Sequence, residues 1–103
     1  MKTYPLKSKD GKLFAFEVPN YKVSRRRAVK IVNSIPGSKI VRYPKKVFSW
    51  FREETFCEFV INGLKFEIWE PFGDNSRYWI GKSGTAVPCN EILVIEEAFK
   101  NAW

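Results

Sequence analysis

Near the start of the chain, a short and mostly apolar run follows a turn signal, in a pattern typical of a strand. Residues 12–18 read Lys-Leu-Phe-Ala-Phe-Glu-Val, and the preceding Asp10-Gly11 pair favours a tight turn into that strand. Residues 3–7 are placed to pair with it across the turn. We therefore expect a strand pair at the start of the domain, ended by Pro19-Asn20.

The spacing then changes to that of a helix, predicted at residues 25–35. Ser24 is a suitable N-cap, because its hydroxyl can accept from a free amide of the first turn. Four apolar residues share one face at helical spacing: Ala28, Ile31, Val32 and Ile35. Pro36-Gly37 ends the predicted helix.

Two β-prone segments follow, and the second is ambiguous. Residues 39–43 favour a strand, which Pro44 interrupts. Residues 44–54 fit either a short helix or a strand by the spacing of Val47, Phe48, Trp50 and Phe51, and we prefer the strand.

The clearest local signal is Asn62-Gly63 between two apolar runs, which predicts a two-residue hairpin. The core-facing pairs are then Ile61 with Leu64, Phe59 with Phe66, and Cys57 with Ile68. The pairs on the other face are Val60 with Lys65, Glu58 with Glu67, and Phe56 with Trp69.

Residues 77–80 indicate one more antiparallel strand, and Asn90 is positioned to cap a last helix at 91–102. The apolar stripe of that helix contains Ile92, Ile95, Phe99 and Trp103. Two helices with single apolar stripes need a sheet to cover. We predict an α+β fold: a mostly antiparallel sheet of four to six strands, covered on one face by two helices in a two-layer sandwich.

Length and composition predict a single domain over residues 1–103. The start of the chain has no apolar leader-like run, and no apolar run is long enough for a membrane span, so we expect a cytoplasmic protein without membrane contact. Cys57 and Cys89 are a weak framework for a disulfide, and Cys57 is interpreted as a small buried residue.

Charge is segregated along the chain, whose net charge is +7. Residues 1–52 carry 14 Lys or Arg and 2 acidic residues, whereas residues 53–103 carry 4 and 9. This asymmetry points to a polyanion or an acidic protein surface as partner, with a merely solvated basic face as the alternative. The predicted binding patch consists of Arg25, Arg26, Arg27, Lys30, Arg42, Lys45 and Lys46.

A second candidate binding site is the loop and flanks at residues 69–79, because rings, carboxylates and a guanidinium concentrate there. Its candidate residues are Trp69, Glu70, Asp74, Asn75, Ser76, Arg77 and Trp79. An ordinary turn with rings packed on the core is the alternative. Glu58 and Glu67 are predicted to face each other, and we expect Lys65 or Arg42 to neutralise them rather than a metal ion.

The chain contains no histidine, which removes the commonest general base and the usual zinc ligand. We therefore expect no catalytic residues, no metal site and no cofactor. The leading hypothesis is a small non-catalytic binding module, of an accessory, inhibitor or immunity type, that presents a basic surface to an acidic macromolecular partner. The alternatives are an RNA or single-stranded DNA-binding domain and, third, a carboxylate-based or metal-dependent hydrolase.

Overall fold

The computed structural model describes residues 1–42, 54–70, 77–84 and 88–102. Most of the ambiguous segment, residues 44–53, lies outside this part of the chain, as does Trp103. The described residues form β1 (Tyr4–Lys7), β2 (Leu13–Pro19), α1 (Arg25–Asn33), β3 (Ser38–Arg42), β4 (Glu54–Ile61), β5 (Leu64–Glu70), β6 (Arg77–Lys82) and α2 (Asn90–Lys100).

The described strands form one antiparallel sheet of six strands in the order β1-β2-β6-β5-β4-β3. Most neighbouring strands are also consecutive in sequence. The exception is the pairing of β2 with β6, which sets Phe16 opposite Ile80. The last strand therefore joins the N-terminal strand pair to the rest of the sheet.

Both helices lie on one face of this sheet. The ring of Phe99 in α2 packs edge-on against Phe16 in β2, with 5.5 Å between the ring centroids. Helix α1 contacts β3 and β4, and the two helices contact each other. The predicted α+β fold, with two helices packed on a mostly antiparallel sheet, is confirmed.

Helix α1 begins where the sequence predicted and ends two residues early. The Ser24 hydroxyl accepts from the Arg27 amide at 3.2 Å, so the predicted N-cap is confirmed. The helix ends at Asn33 because the chain turns at Ser34, whose hydroxyl donates to the Ile31 carbonyl at 2.6 Å. All four residues of the predicted apolar stripe are buried.

The β4–β5 hairpin has the predicted turn and register. Asn62 and Gly63 have φ angles of 52° and 78°, the left-handed pair that a type I′ turn requires. The three predicted core pairs form. Five of those six side chains are buried, and Leu64 is half-buried against the core.

The prediction that Phe56 pairs with Trp69 is wrong. A shift of register between Thr55 and Cys57 makes Thr55 the partner of Trp69 and leaves Phe56 as the extra residue of a β-bulge. The bulge turns Phe56 into the core, where 1% of it is exposed and its ring lies 5.1 Å from that of Tyr78.

Helix α2 begins one residue earlier than predicted. Asn90 is its first residue and Cys89 occupies the N-cap without a side-chain hydrogen bond, so the prediction of Asn90 as the cap is wrong. The first turn is instead supported by the hairpin, because Asn62 donates to the Glu91 carboxylate at 3.1 Å. That hydrogen bond lowers the pKa of Glu91 below its usual value.

The core between the helices and the sheet holds Cys57 as a fully buried free thiol, in keeping with its interpretation as a small apolar residue. A carboxylate is also buried: Glu96 of α2 accepts from the Thr3 hydroxyl at 2.8 Å and pairs with Lys100 at 3.6 Å. Within the described ranges, neither helix has the length and apolar character needed to span a membrane.

Candidate interaction surfaces

The exposed side of α1 borders a groove of about 510 Å³ that reaches the end of α2. We call it the basic groove, since every charged residue among its described lining is a cation. Its described lining is Ser24, Arg26, Arg27, Lys30, Ile31, Ser34 and Ala102.

Helix α1 holds Arg26 and Arg27 at the positive end of its own dipole, whereas Lys30 lies in the last turn. Its first turn contains no acidic residue, although negative side chains are favoured there. In the described part of the chain, Arg26 and Lys30 form no ion pair, and both are exposed. Each cation in the first turn costs the helix a few tenths of a kcal/mol, so local helix stability does not explain why arginines stand here.

Arg25 has a different environment from its two neighbours. Its guanidinium pairs with Glu70 at 2.7 Å and lies 4.8 Å from the ring centre of Phe56. Asn20 donates to the same carboxylate at 2.7 Å. Arg25 and Glu70 were predicted to belong to two separate binding sites, and their contact ties the start of α1 to the end of β5.

Several predicted site residues lie outside the described part of the chain. These are Lys45 and Lys46 of the basic patch and Asp74, Asn75 and Ser76 of the loop. Arg42 is the last residue of β3, and its backbone pairs with Glu58 of β4. The prediction that Lys45 lies beside Arg26 in one patch therefore stays a prediction.

The sheet face opposite the helices carries two adjacent indoles. Trp69 and Trp79 are cross-strand neighbours in β5 and β6, with 5.8 Å between their ring centroids. The edge of the Trp79 ring lies over Gly81, where a β-carbon would come within 2.6 Å of Cη2. Ala15, the cross-strand partner of Gly81, would lie 3.1 Å from the same added β-carbon.

An arginine already occupies one end of this face. The guanidinium of Arg77 lies 3.6 Å from the ring centre of Tyr4, and its Nη1 atom is 3.2 Å from Oε1 of Glu17. Tyr4 and Glu17 are themselves paired across β1 and β2. Arg77 is thus held between a ring and a carboxylate.

The two glutamates predicted to oppose each other do so. Glu58 and Glu67 are cross-strand partners, and Lys65 pairs with Glu58 at 3.0 Å, as expected for neutralisation by Lys65. Glu67 accepts from the Ser83 hydroxyl at 3.1 Å. No group of three potential metal ligands occurs among the described residues.

No protein-family model, curated protein or solved structure matches this chain. Its two surfaces are therefore interpreted from their own residues.

The sheet pairing divides the predicted loop site between two faces. Trp69, Trp79 and Arg77 lie on the open face, whereas Glu70 lies on the helix side against Arg25. This division could have been predicted from the sequence, because odd and even residues of a strand point to opposite faces of the sheet. Tyr4 and Glu17 were missed because their link to Arg77 depends on the long-range β2–β6 pairing.

Proposed function

We propose that this protein is a small, non-catalytic, cytoplasmic binding module of the accessory, inhibitor or immunity type, whose basic groove receives an acidic protein surface. The observation that carries the proposal is the composition of the groove, in which Arg26, Arg27 and Lys30 are the charged residues of the described lining. The free thiols of Cys57 and Cys89 support the cytoplasmic location, where cysteines stay reduced.

The rest of the groove suits a protein partner. Ile31 and Ala102 supply apolar lining, and Ser24 and Ser34 supply hydroxyls. Protein interfaces combine apolar contacts with charged groups, and charges at the rim of an interface set the association rate and the choice of partner. An acidic side chain that enters the groove meets cations on the exposed side of α1.

Single-stranded nucleic acid is the second candidate, since three clustered cations also suit phosphates. Binding of unpaired bases usually adds aromatic rings beside those cations. The described lining of the basic groove contains no ring. The indoles of the open sheet face have Glu67 as a neighbour, which pairs with no Lys or Arg among the described residues and repels phosphates.

The hydrolase alternative has the least support. A catalytic pair of carboxylates needs one member with a raised pKa or a bound metal ion. Glu58 is paired with Lys65 instead, and the described residues include no three-ligand cluster.

The test is capture of partners from the native lysate with the unaltered chain and with an Arg26→Glu/Lys30→Glu variant, each with and without nuclease. We expect a nuclease-resistant protein partner whose recovery falls about tenfold or more in the variant, because two attractive charges become repulsive. The matched control is Lys9→Glu/Lys12→Glu, which changes two exposed lysines near the β1–β2 turn and alters the net charge equally.

Two results would contradict the proposal. Loss of the partner on nuclease treatment would favour the nucleic-acid candidate. Equal losses in the groove variant and the control would show that net charge alone, rather than the basic groove, governs binding.

A further inference from the structure

Two positions on the open sheet face combine aromatic rings with a carboxylate, and only the first of them also holds a cation. At the first position, a ring (Tyr4) and a carboxylate (Glu17) hold a guanidinium (Arg77) between them. The guanidinium gains both a stacking interaction with the ring and charge-assisted hydrogen bonding to the carboxylate.

The second position has the rings and the carboxylate without the cation. The indole of Trp79 covers Gly81, and Glu67 is the cross-strand partner of Gly81. Trp69 stands beside Trp79 and lies two residues after Glu67 in β5, so Trp69 and Glu67 are on the same face of the sheet. Ser83 donates the hydrogen bond that Glu67 accepts. In the described part of the chain, no Lys or Arg pairs with Glu67.

We propose that Trp79, Trp69 and Glu67 form a docking site for an arginine side chain of a protein partner, which completes the arrangement that Arg77 completes internally. Indole is the strongest of the aromatic rings for attracting a cation, and a planar guanidinium both stacks on it and presents N–H groups to a carboxylate. Arginine fits better than lysine, whose ammonium is compact and more strongly hydrated.

The charge of the face supports this occupant. Glu17, Glu58 and Glu67 lie on this face together with the cations Lys2, Lys39, Lys65 and Arg77. Among the described residues, Arg77 pairs with Glu17 and Lys65 pairs with Glu58, which leaves Glu67, the carboxylate beside the indoles, without a paired cation. The remaining carboxylate attracts a cation and repels a phosphate. This site lies on the sheet layer, whereas the basic groove lies on the helix layer, so the inference is independent of the proposed function.

The probe is acetyl-Gly-Arg-Gly-amide, a tripeptide whose two termini are blocked so that only the arginine is charged. It is titrated into the isotope-labelled protein while the indole N–H signals are followed by NMR. We expect saturable shifts of the Trp69 and Trp79 signals, assigned with Trp→Phe variants, at an affinity on the order of 1 mM because one side chain contributes little area. The same peptide with citrulline in place of arginine keeps the shape and loses the charge, and we expect it to bind about tenfold or more weakly.

Glu67→Gln should weaken binding of the arginine peptide about tenfold, since the amide keeps the size of the side chain and removes its charge. The matched control is Glu97→Gln, an exposed carboxylate on α2, which should leave the affinity unchanged. The groove variant Arg26→Glu/Lys30→Glu should also keep the indole response, so failure of the proposed function and failure of this site give different results.

Equal binding of the citrulline and arginine peptides would overturn the proposal, and this comparison needs no variant to fold. Indole shifts caused by a single-stranded oligonucleotide would assign the face to nucleic acid and overturn it as well. Shifts that depend on protein concentration and resist competition by the arginine peptide would assign the face to a second copy of the chain.

Discussion

At the scale of single residues, position 81 needs glycine because the Trp79 ring occupies the space where a side chain would lie. Its backbone is in an ordinary strand pairing, and a β-carbon there would lie 2.6 Å and 2.8 Å from two ring atoms of Trp79. Gly81→Ala therefore forces the indole to move, and we expect a loss of about 1 to 3 kcal/mol in the free energy of unfolding. Denaturant unfolding measures it.

A double-mutant cycle identifies the cause of that loss. In a Trp79→Leu background, Gly81→Ala should cost clearly less, because the ring that it collides with is gone. An unchanged cost in that background would mean that the close approach of Ala15, at 3.1 Å from the added carbon, is responsible instead.

The buried thiol of Cys57 should make the stability of the protein fall at alkaline pH. Burial raises the pKa of Cys57 from 9.0 to about 12, and burial likewise raises the pKa of Tyr78 from 10.0 to about 12. The folded state thus holds a proton that the unfolded chain releases first. The buried, protonated thiol of Cys57 contributes fully to the free energy of unfolding below pH 9. This contribution, up to about 4 kcal/mol, is lost as pH rises toward 12.

Chemical unfolding between pH 8 and pH 11, at roughly one-unit steps, measures this slope. Cys57→Ala removes the ionisable group without adding atoms to this fully buried position, so the stability of the variant should fall less steeply over the same range. Identical slopes in the two proteins would show that Cys57 does not set the alkaline limit.

At the scale of elements, the Ser24 cap supports a helix whose first turn is otherwise unfavourable. Ser24→Ala removes the hydrogen bond to the Arg27 amide and should lower stability by about 1 kcal/mol. Ser24→Asp should keep or raise stability, because it retains a cap and adds a negative charge beside the cations. A gain in stability from Ser24→Ala would contradict the role of this cap.

Elements specified by local signals were predictable from the sequence. The turn at Asn62-Gly63 needs two left-handed residues, and those two residue types tolerate that conformation, so turn, register and core pairs followed together. The bulge at Phe56 carried no such local signal. Its position is decided by burial of the ring against Tyr78 and by the approach of Arg25, both distant in sequence.

At the scale of the whole molecule, the charge asymmetry along the sequence is not a simple difference between the two layers. Arg26, Arg27 and Lys30 line the basic groove, and Glu58 and Glu67 lie on the open sheet face. The remaining described carboxylates of the second half are on the helix side, namely Glu70 against α1 and Glu91, Glu96 and Glu97 in α2. The basic run was readable from the sequence. The arginine-docking site was not, because it depends on the distant pairing of β2 with β6.

Salt separates the two candidate partners of the basic groove. Single-stranded nucleic acid held by its three cations should lose affinity with a log-log slope of about −2. A protein partner with a buried apolar centre should show a slower association at high salt and a nearly unchanged dissociation rate. Kinetic binding measurements at about 0.05 M and about 0.2 M salt distinguish these outcomes. A dissociation rate that rises steeply with salt would count against the protein partner.

The central position of β6 also determines when the sheet can be completed during synthesis of the chain. Ribosomes make β1 to β5 before residue 77 exists, yet β2 and β5 have no neighbour on their inner edges until β6 arrives between them. Nascent chains that stop before β6 therefore carry two incomplete sheets with open edges, which are easily cleaved or mispaired. We expect ribosome-bound chains, stalled on a C-terminal linker of increasing length, to become protease-resistant in one late step once β6 and α2 have left the exit tunnel, because the long-range pairing cannot form earlier.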